Sequence, residues 1–230
     1  MTFESEHPAD ITNAKADRSL ALWEIVSVVT SCLIAEWVIP AVVGRSTRLI
    51  IVPIGFAFGL MFLSHCLRHE SLRDLGFRFD NFGQAARLLA LPMAVATAVL
   101  IILGYLNGSL DFLRWRGGQS ILGLPLLGSL WGLVQQYALQ GFVNRRAQVA
   151  WGPGVLSVVV VALLFGVFHL PNPALTVATT AGGLLWATVY QRVPNLFALA
   201  LSHGLMTWIL ISTLPSGLLY GLRVGYKFIG

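Results

Sequence analysis

Three apolar segments in the carboxyl-terminal half of the chain contain polar side chains that could do chemistry. These side chains are Gln135, Gln136 and Gln140 in the first segment, His169 in the second, and His203 with Thr207 in the third. Polar groups are costly in hydrocarbon, so in membrane helices they face one another or a water-filled cavity. We therefore predict that the three segments build one buried polar site.

Four-residue spacing within the segments supports a shared site. In an α-helix Gln136 and Gln140 would lie on one face, with Gln135 turned away from Gln136 by about 100°. The same spacing separates two further pairs, Phe165 with His169 and His203 with Thr207. Two histidines from separate helices could share a water, hydrogen-bond a carbonyl oxygen or bind a metal.

A carboxylate for this site would have to come from the first half of the chain, because the last acidic residue is Asp111. Glu36 lies well inside an apolar segment, and Glu24 lies near the start of the same segment. An acid at that depth in a membrane is a functional candidate by default. We keep Glu36 as a supporting residue of the site. The alternative is a glutamate that stays protonated or pairs with an interfacial arginine.

The composition indicates an all-α, polytopic membrane helix bundle. The chain is 56% hydrophobic and 11% charged, whereas a soluble domain carries roughly 25% charged residues. Runs near 20 apolar residues can cross a hydrocarbon core of about 30 Å, and about seven are present: 21–43, 49–67, 88–107, 121–142, 155–170, 175–191 and 194–213. The fifth and sixth are short, and a buried turn at LPNP could join them.

We divide the single domain into four parts. Residues 1–20 are predicted to be a polar, disordered cytoplasmic tail, and 21–120 to be amino-terminal spans with interfacial loops. Residues 121–213 form the core, and 214–230 a carboxyl-terminal tail. The stretch SLRDLGF is predicted to be a short interfacial helix that ends at Gly76.

The net charge of +5 comes mostly from arginines at the ends of the spans. Their distribution favours a cytoplasmic amino terminus and contact with anionic lipid headgroups. Nucleic-acid binding is not expected, because the chain has no basic stripe or patch with interleaved aromatic residues.

The motif order resembles the CPBP intramembrane protease family, which includes type II CAAX prenyl endopeptidases and bacterial lysostaphin-resistance-type proteins. That family carries Glu-Glu-x-x-x-Arg on one helix, Phe-x-x-x-His on the next and His-x-x-x-Asn or a variant on a later one. QQYALQGFVNRR, LLFGVFHLP and NLFALALSHGLMTW follow this order within roughly residues 121–213, and SLRDLGF is similar to the connection ahead of the family's core. The resemblance implies a four-helix core, an inner-membrane location in a bacterium and proteolysis of a membrane-embedded peptide or lipidated substrate.

The chain departs from this pattern where the family places its charged residues. Gln135 and Gln136 stand where the family has glutamates, Gln140 where it has arginine, and Thr207 where it has asparagine. The resemblance implies that Gln135, Gln136, His169 and His203 occupy catalytic positions, supported by Gln140, Phe165, Thr207 and Glu36. Glutamine keeps the shape of glutamate but has no basic site near neutral pH. The three glutamines therefore look like one coordinated neutralisation of an ion-paired site.

We expect no metal and no cofactor. A catalytic zinc site needs three protein ligands, and the core offers two histidines. His65 and His69, followed by Glu70, have the spacing of a helical metal pair, but HCLRHE is not HExxH. We predict a wet interfacial histidine pair there.

Four functions are compatible with these features. The first is a CPBP-type intramembrane hydrolase, with His169 or His203 as the base and Glu36 as a rival base. The second is a pseudoprotease that binds membrane partners without cleaving them. The third is a non-proteolytic membrane enzyme acting on an isoprenoid-type substrate. A small transporter is disfavoured, because only Glu36 offers a carboxylate deep within a span.

Overall fold

The structure is a computed structural model that describes residues 8–44, 47–114 and 123–229. Every regular element in these residues is helical. The helices long enough for several turns are α1 (Pro8–Leu33), α3 (Thr47–Leu67), α4 (Phe82–Leu106), α5 (Gly123–Gln136), α7 (Val155–Val167), α8 (Pro173–Arg192) and α9 (Leu196–Thr213). The shorter helices are α2 (Ile39–Val43), α6 (Arg145–Trp151), α10 (Ser216–Leu219) and α11 (Tyr226–Ile229).

Two π-helical segments lie among the described helices. The segment π1 (Ile34–Val38) joins α1 to α2, and π2 (Tyr137–Asn144) joins α5 to α6. Helices of this type are rare and occur often at functional sites. Glu36 lies in π1, and Gln140 lies in π2.

The predicted polytopic helical membrane bundle is confirmed. Four described stretches are long and apolar enough to cross a membrane: Asn13–Val43, Arg48–Leu67, Phe82–Leu106 and Leu196–Thr213. The predicted spans at 155–170 and 175–191 correspond to α7 and α8, of which α7 is apolar but has only 13 residues. A turn at LPNP joins these two helices, as predicted. Buried Asn172 caps α8 there by accepting a hydrogen bond from the Leu175 amide at 3.1 Å.

The prediction of disorder for residues 1–20 is wrong from Pro8 onward. Helix α1 begins at Pro8 and runs without interruption into the apolar segment. Proline is well suited to the first helical position, because its fixed φ is helical and its missing N–H would have no partner there. Once the apolar part is held in the bundle, its helix extends outward through residues of adequate helix propensity.

The stretch SLRDLGF forms one helical turn rather than a helix, and Gly76 ends it as predicted. The Gly76 amide donates to the Arg73 carbonyl at 3.1 Å, and the Phe77 amide donates to the Leu72 carbonyl at 3.0 Å. This is a Schellman ending, and Gly76 supplies its left-handed residue with φ +96°. The Gly76 carbonyl then accepts from the Leu196 amide at 2.9 Å, which docks the loop on the start of α9.

Small residues let α5 and α9 approach closely. A Cβ atom on Gly128 would lie 3.3 Å from Cα of Gly204, and one on Gly132 would lie 3.1 Å from the carbonyl oxygen of Ala200. On the other side of the core, a Cβ on Gly183 would lie 2.9 Å from Cα of Ala162, at the α7–α8 contact. Such close backbone contact is the usual reason for small residues in membrane helix interfaces.

A buried ion cluster ties α6 to the amino-terminal helices. Arg146, whose side chain is 1% exposed, lies 2.7 Å from the Glu70 carboxylate and 3.0 Å from that of Glu24. Arg145 lies 2.7 Å from Glu70, and Arg68 lies 3.1 Å from Glu24. Burial alone would raise the pKa of Glu70, but hydrogen bonds from His65, Arg146 and Arg145 outweigh it and hold that pKa far below its usual range. We predicted interfacial, orienting roles for arginines at span ends, whereas Arg146 is a core residue.

The predicted wet interfacial pair of His65 and His69 is wrong. Helix α3 ends at Leu67, so His69 lies beyond it, exposed and with φ +54°. His65 is buried, and its Nδ1 lies 2.6 Å from Glu70 Oε2. Helical spacing cannot align the two rings once the helix has stopped.

Candidate functional site

A cavity of about 560 Å³ opens between α1, π1, α3, α5, π2 and the end of α7. Most of its lining is apolar. Its described polar lining side chains are Cys32, Glu36, Gln135, His169 and Lys227. Four residues that the sequence analysis assigned to the site therefore line one space: Glu36, Gln135, Phe165 and His169.

His169 is held in one orientation by its own helix. Its Nδ1 lies 2.8 Å from the carbonyl oxygen of Phe165, which can only accept, so Nδ1 carries the proton. Nε2 is then left as a hydrogen-bond acceptor. The rings of Phe165 and His169 meet edge to face with centroids 4.9 Å apart, which follows from their four-residue spacing at the end of α7.

Gln136 and His203 form a second, sealed half of the site. Gln136 is fully buried, and its Nε2 lies 3.2 Å from Nδ1 of His203. The His203 ring stacks on Trp186 with centroids 4.8 Å apart and meets Phe165 edge to face at 5.9 Å. Neither Gln136 nor His203 lines the cavity. Phe165 therefore separates the cavity-facing His169 from the enclosed His203.

Gly132 explains why Gln136 reaches His203. It lies one turn before Gln136 on α5, and a Cβ there would be 3.2 Å from Cβ of His203. The absence of that atom brings the α5 backbone against α9, so the next turn presents its side chain at hydrogen-bond distance. Gly204 contributes to the same close packing, since it faces Gly128 on α5.

Gln140 does not continue the row that its spacing predicted. The chain enters π2 directly after Gln136, so the helical register changes before Gln140 is reached. Gln140 is fully buried, and its Oε1 accepts from Asn144 Nδ2 at 2.7 Å. Asn144 in turn accepts from Gln191 at 2.9 Å, so Gln140 belongs to a neutral amide network between π2 and α8.

Two polar atoms of the glutamine cluster are buried without a partner in the described part of the chain. They are Oε1 of Gln136 and Nε2 of Gln140. One is an acceptor and the other a donor, and buried polar atoms are normally satisfied. Each of these two buried side chains therefore keeps one polar atom unsatisfied in the protein interior.

Thr207 is half-buried and does not line the cavity. Its hydroxyl has no hydrogen-bond partner among the residues that the structure describes. The structure thus brings Gln135, Gln136, His169 and His203 around Phe165 but gives Thr207 no polar contact with them. Its assignment as a supporting residue stays a prediction.

The carboxyl-terminal segment supplies cavity residues that sequence reasoning missed. Val224 and Lys227 line the cavity, and the Gly225 amide donates to the Leu170 carbonyl at 2.7 Å, next to His169. Asn172 holds the same segment by donating to the carbonyls of Leu219 and Arg223 at 3.0 and 3.1 Å. The buried asparagine in the LPNP turn was the available signal, since a buried amide requires partners.

Comparison with known proteins gives a family match for the core of the chain. No curated protein and no solved structure matches the chain. Residues 117–209 match the model of the type II CAAX prenyl endopeptidase Rce1-like family. This range contains Gln135, Gln136, Gln140, His169 and His203. It agrees closely with the core predicted from the motif order, residues 121–213. Over these residues, the chain is similar to the type II CAAX prenyl endopeptidase Rce1-like family.

Proposed function

We propose that this protein is an intramembrane hydrolase that cleaves a peptide bond in a membrane-embedded peptide or lipid-linked substrate. The observation that carries the proposal is the shared cavity, in which His169 and Gln135 face an otherwise apolar space large enough for part of a substrate. The similarity of residues 117–209 to an endopeptidase family supports the reaction type. The location that fits is a bacterial inner membrane, with the amino terminus in the cytoplasm.

The cavity-facing groups have complementary roles in such a reaction. Nε2 of His169 is an acceptor, because Nδ1–H is engaged by the Phe165 carbonyl, so it can hold an attacking water by one of its hydrogens. The Gln135 amide can donate to the carbonyl oxygen that becomes negative in the tetrahedral intermediate. The apolar lining would hold the flanking part of the substrate and limit access of bulk water.

The test is cleavage by the full chain in lipid nanodiscs, with a library of membrane-embedded peptides as probe. We expect cleavage by the wild type and a loss of about 10²- to 10⁴-fold in His169→Ala. Gln135→Ala should lose a factor of about 10² if it donates to the oxyanion. Thr188→Ala is the matched control, because the Thr188 hydroxyl donates to the Leu184 carbonyl of its own helix and does not line the cavity. Full activity in His169→Ala would refute the proposal.

The enclosed Gln136–His203 pair favours a second candidate, a pseudoprotease that binds a membrane partner in the cavity without cleaving it. In the family, glutamates occupy the positions of Gln135 and Gln136, and here one of the two is sealed and neutral. Under this reading the wild type cleaves no peptide of the library, and a Gln135→Glu/Gln136→Glu double variant gains cleavage. Cleavage by the wild type that depends on His169 would exclude it.

A further inference from the structure

We propose that Glu36 is the catalytic carboxylate of this protein, delivered by the first transmembrane helix to the cavity in place of the glutamates absent from α5. This inference rests on the proposed hydrolase function. It assigns the step that His169 and Gln135 leave open, namely which group takes the proton of the attacking water.

Glu36 is positioned by two local features of the chain. It lies in π1, where α1 departs from α-helical geometry, and its side chain lines the same cavity as Gln135 and His169. Gly225 lies directly against it, because a Cβ on Gly225 would be 2.3 Å from Cγ of Glu36. Only a residue without a side chain fits at that position, which also has φ +58°.

The Glu36 carboxylate is also free to react. Within the described residues it accepts no hydrogen bond and lies in no ion pair. Lys227 lines the same cavity, but among the described residues it forms no ion pair with Glu36. An unpaired acid in an apolar membrane cavity is costly to keep and is usually functional.

Glu24 provides an internal contrast on the same helix. It is held by Arg68 at 3.1 Å and by Arg146 at 3.0 Å, so its charge is fully used in the ion cluster. The two acids of this apolar segment are therefore treated differently by the fold. One is neutralised by arginines, and the other is left facing a cavity beside a histidine whose Nε2 is an acceptor.

The proposed step balances without a co-reactant other than water. Glu36 takes one water proton as the water oxygen bonds to the substrate carbonyl carbon, and His169 Nε2 holds the second hydrogen. The carbonyl electron pair moves to its oxygen, which Gln135 stabilises. When the C–N bond breaks, the leaving nitrogen takes the proton from Glu36. The second hydrogen remains on the new carboxylic acid, and Glu36 returns to its starting state.

The first arm of the test does not depend on activity. Dicyclohexylcarbodiimide, an apolar reagent that modifies carboxyl groups, is applied to the full chain in nanodiscs, and labelled peptides are identified by mass spectrometry. We expect modification at Glu36 and at least tenfold less at Glu24. Equal labelling of both acids, or labelling of Glu24 alone, would overturn the claim that Glu36 is the free cavity acid.

The second arm measures cleavage of the peptide library. Glu36→Gln, which is nearly isosteric, should lose about 10²- to 10⁴-fold, as expected for a general base, and Glu36→Asp should retain measurable cleavage. Thermal unfolding of each variant checks that it is folded. Wild-type activity in Glu36→Gln, with His169→Ala inactive, would overturn this inference and leave the proposed function standing. No cleavage by the wild type would overturn both.

Discussion

Removal of Arg146 tests whether the buried ion cluster holds the site-bearing segment to the amino-terminal helices. The Arg146 side chain is 1% exposed and contacts two carboxylates, those of Glu24 and Glu70, which are 15% and 11% exposed. In Arg146→Met these two acids lose their shared cation. Breaking a buried pair on one side costs about 3–5 kcal/mol.

The remaining partners place this change near the lower end of that range. Arg68 still neutralises Glu24, and Arg145 still neutralises Glu70. We therefore expect a loss of about 3 kcal/mol in the free energy of unfolding. Arg146→Lys keeps the charge but loses the two-pronged contact with Glu70, so it should cost less, about 1–2 kcal/mol.

Reversible unfolding in mixed micelles, followed by circular dichroism, would measure these differences. Arg145→Met is the matched control: its side chain is 26% exposed, so a loss of only about 1 kcal/mol is expected. A stability of Arg146→Met within about 0.5 kcal/mol of the wild type would refute the reasoning, because it would mean that the cluster contributes no more than a surface pair.

Three further predictions concern pH, the glutamines and the glycines. The folded-state pKa of Glu70 is lowered, so ionised Glu70 should stabilise the fold fully above its unfolded pKa of roughly 4.3, and this stabilisation should be lost as the pH falls from there towards the folded-state pKa. Glu70→Gln should flatten the acid part of the plot of unfolding free energy against pH, and an unchanged acid part would contradict this. Gln136→Leu should lower the free energy of unfolding by about 1–3 kcal/mol, because His203 loses its hydrogen-bond partner. Gln135 faces the cavity, so Gln135→Leu should change the free energy of unfolding by less than about 0.5 kcal/mol; equal losses in the two variants would contradict this. Gly183→Ala should cost about 1–3 kcal/mol, because its Cβ would meet the α7 backbone, and Gly59→Ala, with open space around it, is the control; equal stabilities would contradict close α7–α8 packing.

The fold class and the range of residues that forms the core could be predicted from local properties of the sequence. Apolar runs and scarce charge require helices in a membrane, because lipid offers no partner for free backbone groups. The order of QQYALQ, FGVFH and SHGLMT placed the core at roughly 121–213, within which the Rce1-like match at 117–209 falls almost completely. Gly76 was recognised as the end of its turn, since a Schellman ending depends on one residue with positive φ.

The division of the site depended on tertiary packing. Spacing placed Gln136 and Gln140 in one row, but π2 shifts the register between them. Residue spacing also could not show that Phe165 would separate His169 from His203, because that separation depends on where α8 places Trp186.

The partners of charged residues were also decided only by the fold. Arg146 and Glu24 are far apart in sequence, and their contact exists because α1, α3 and α6 meet. Glu36 and Gly225 likewise come from opposite ends of the chain. Residue types and their spacing along the chain thus determined that this protein forms a membrane bundle with a polar, protease-like core. Which polar groups face the cavity, which are sealed, and the position of Glu36 outside every ion pair of the described residues were set by contacts between distant segments. Local periodicity carries no information on those contacts.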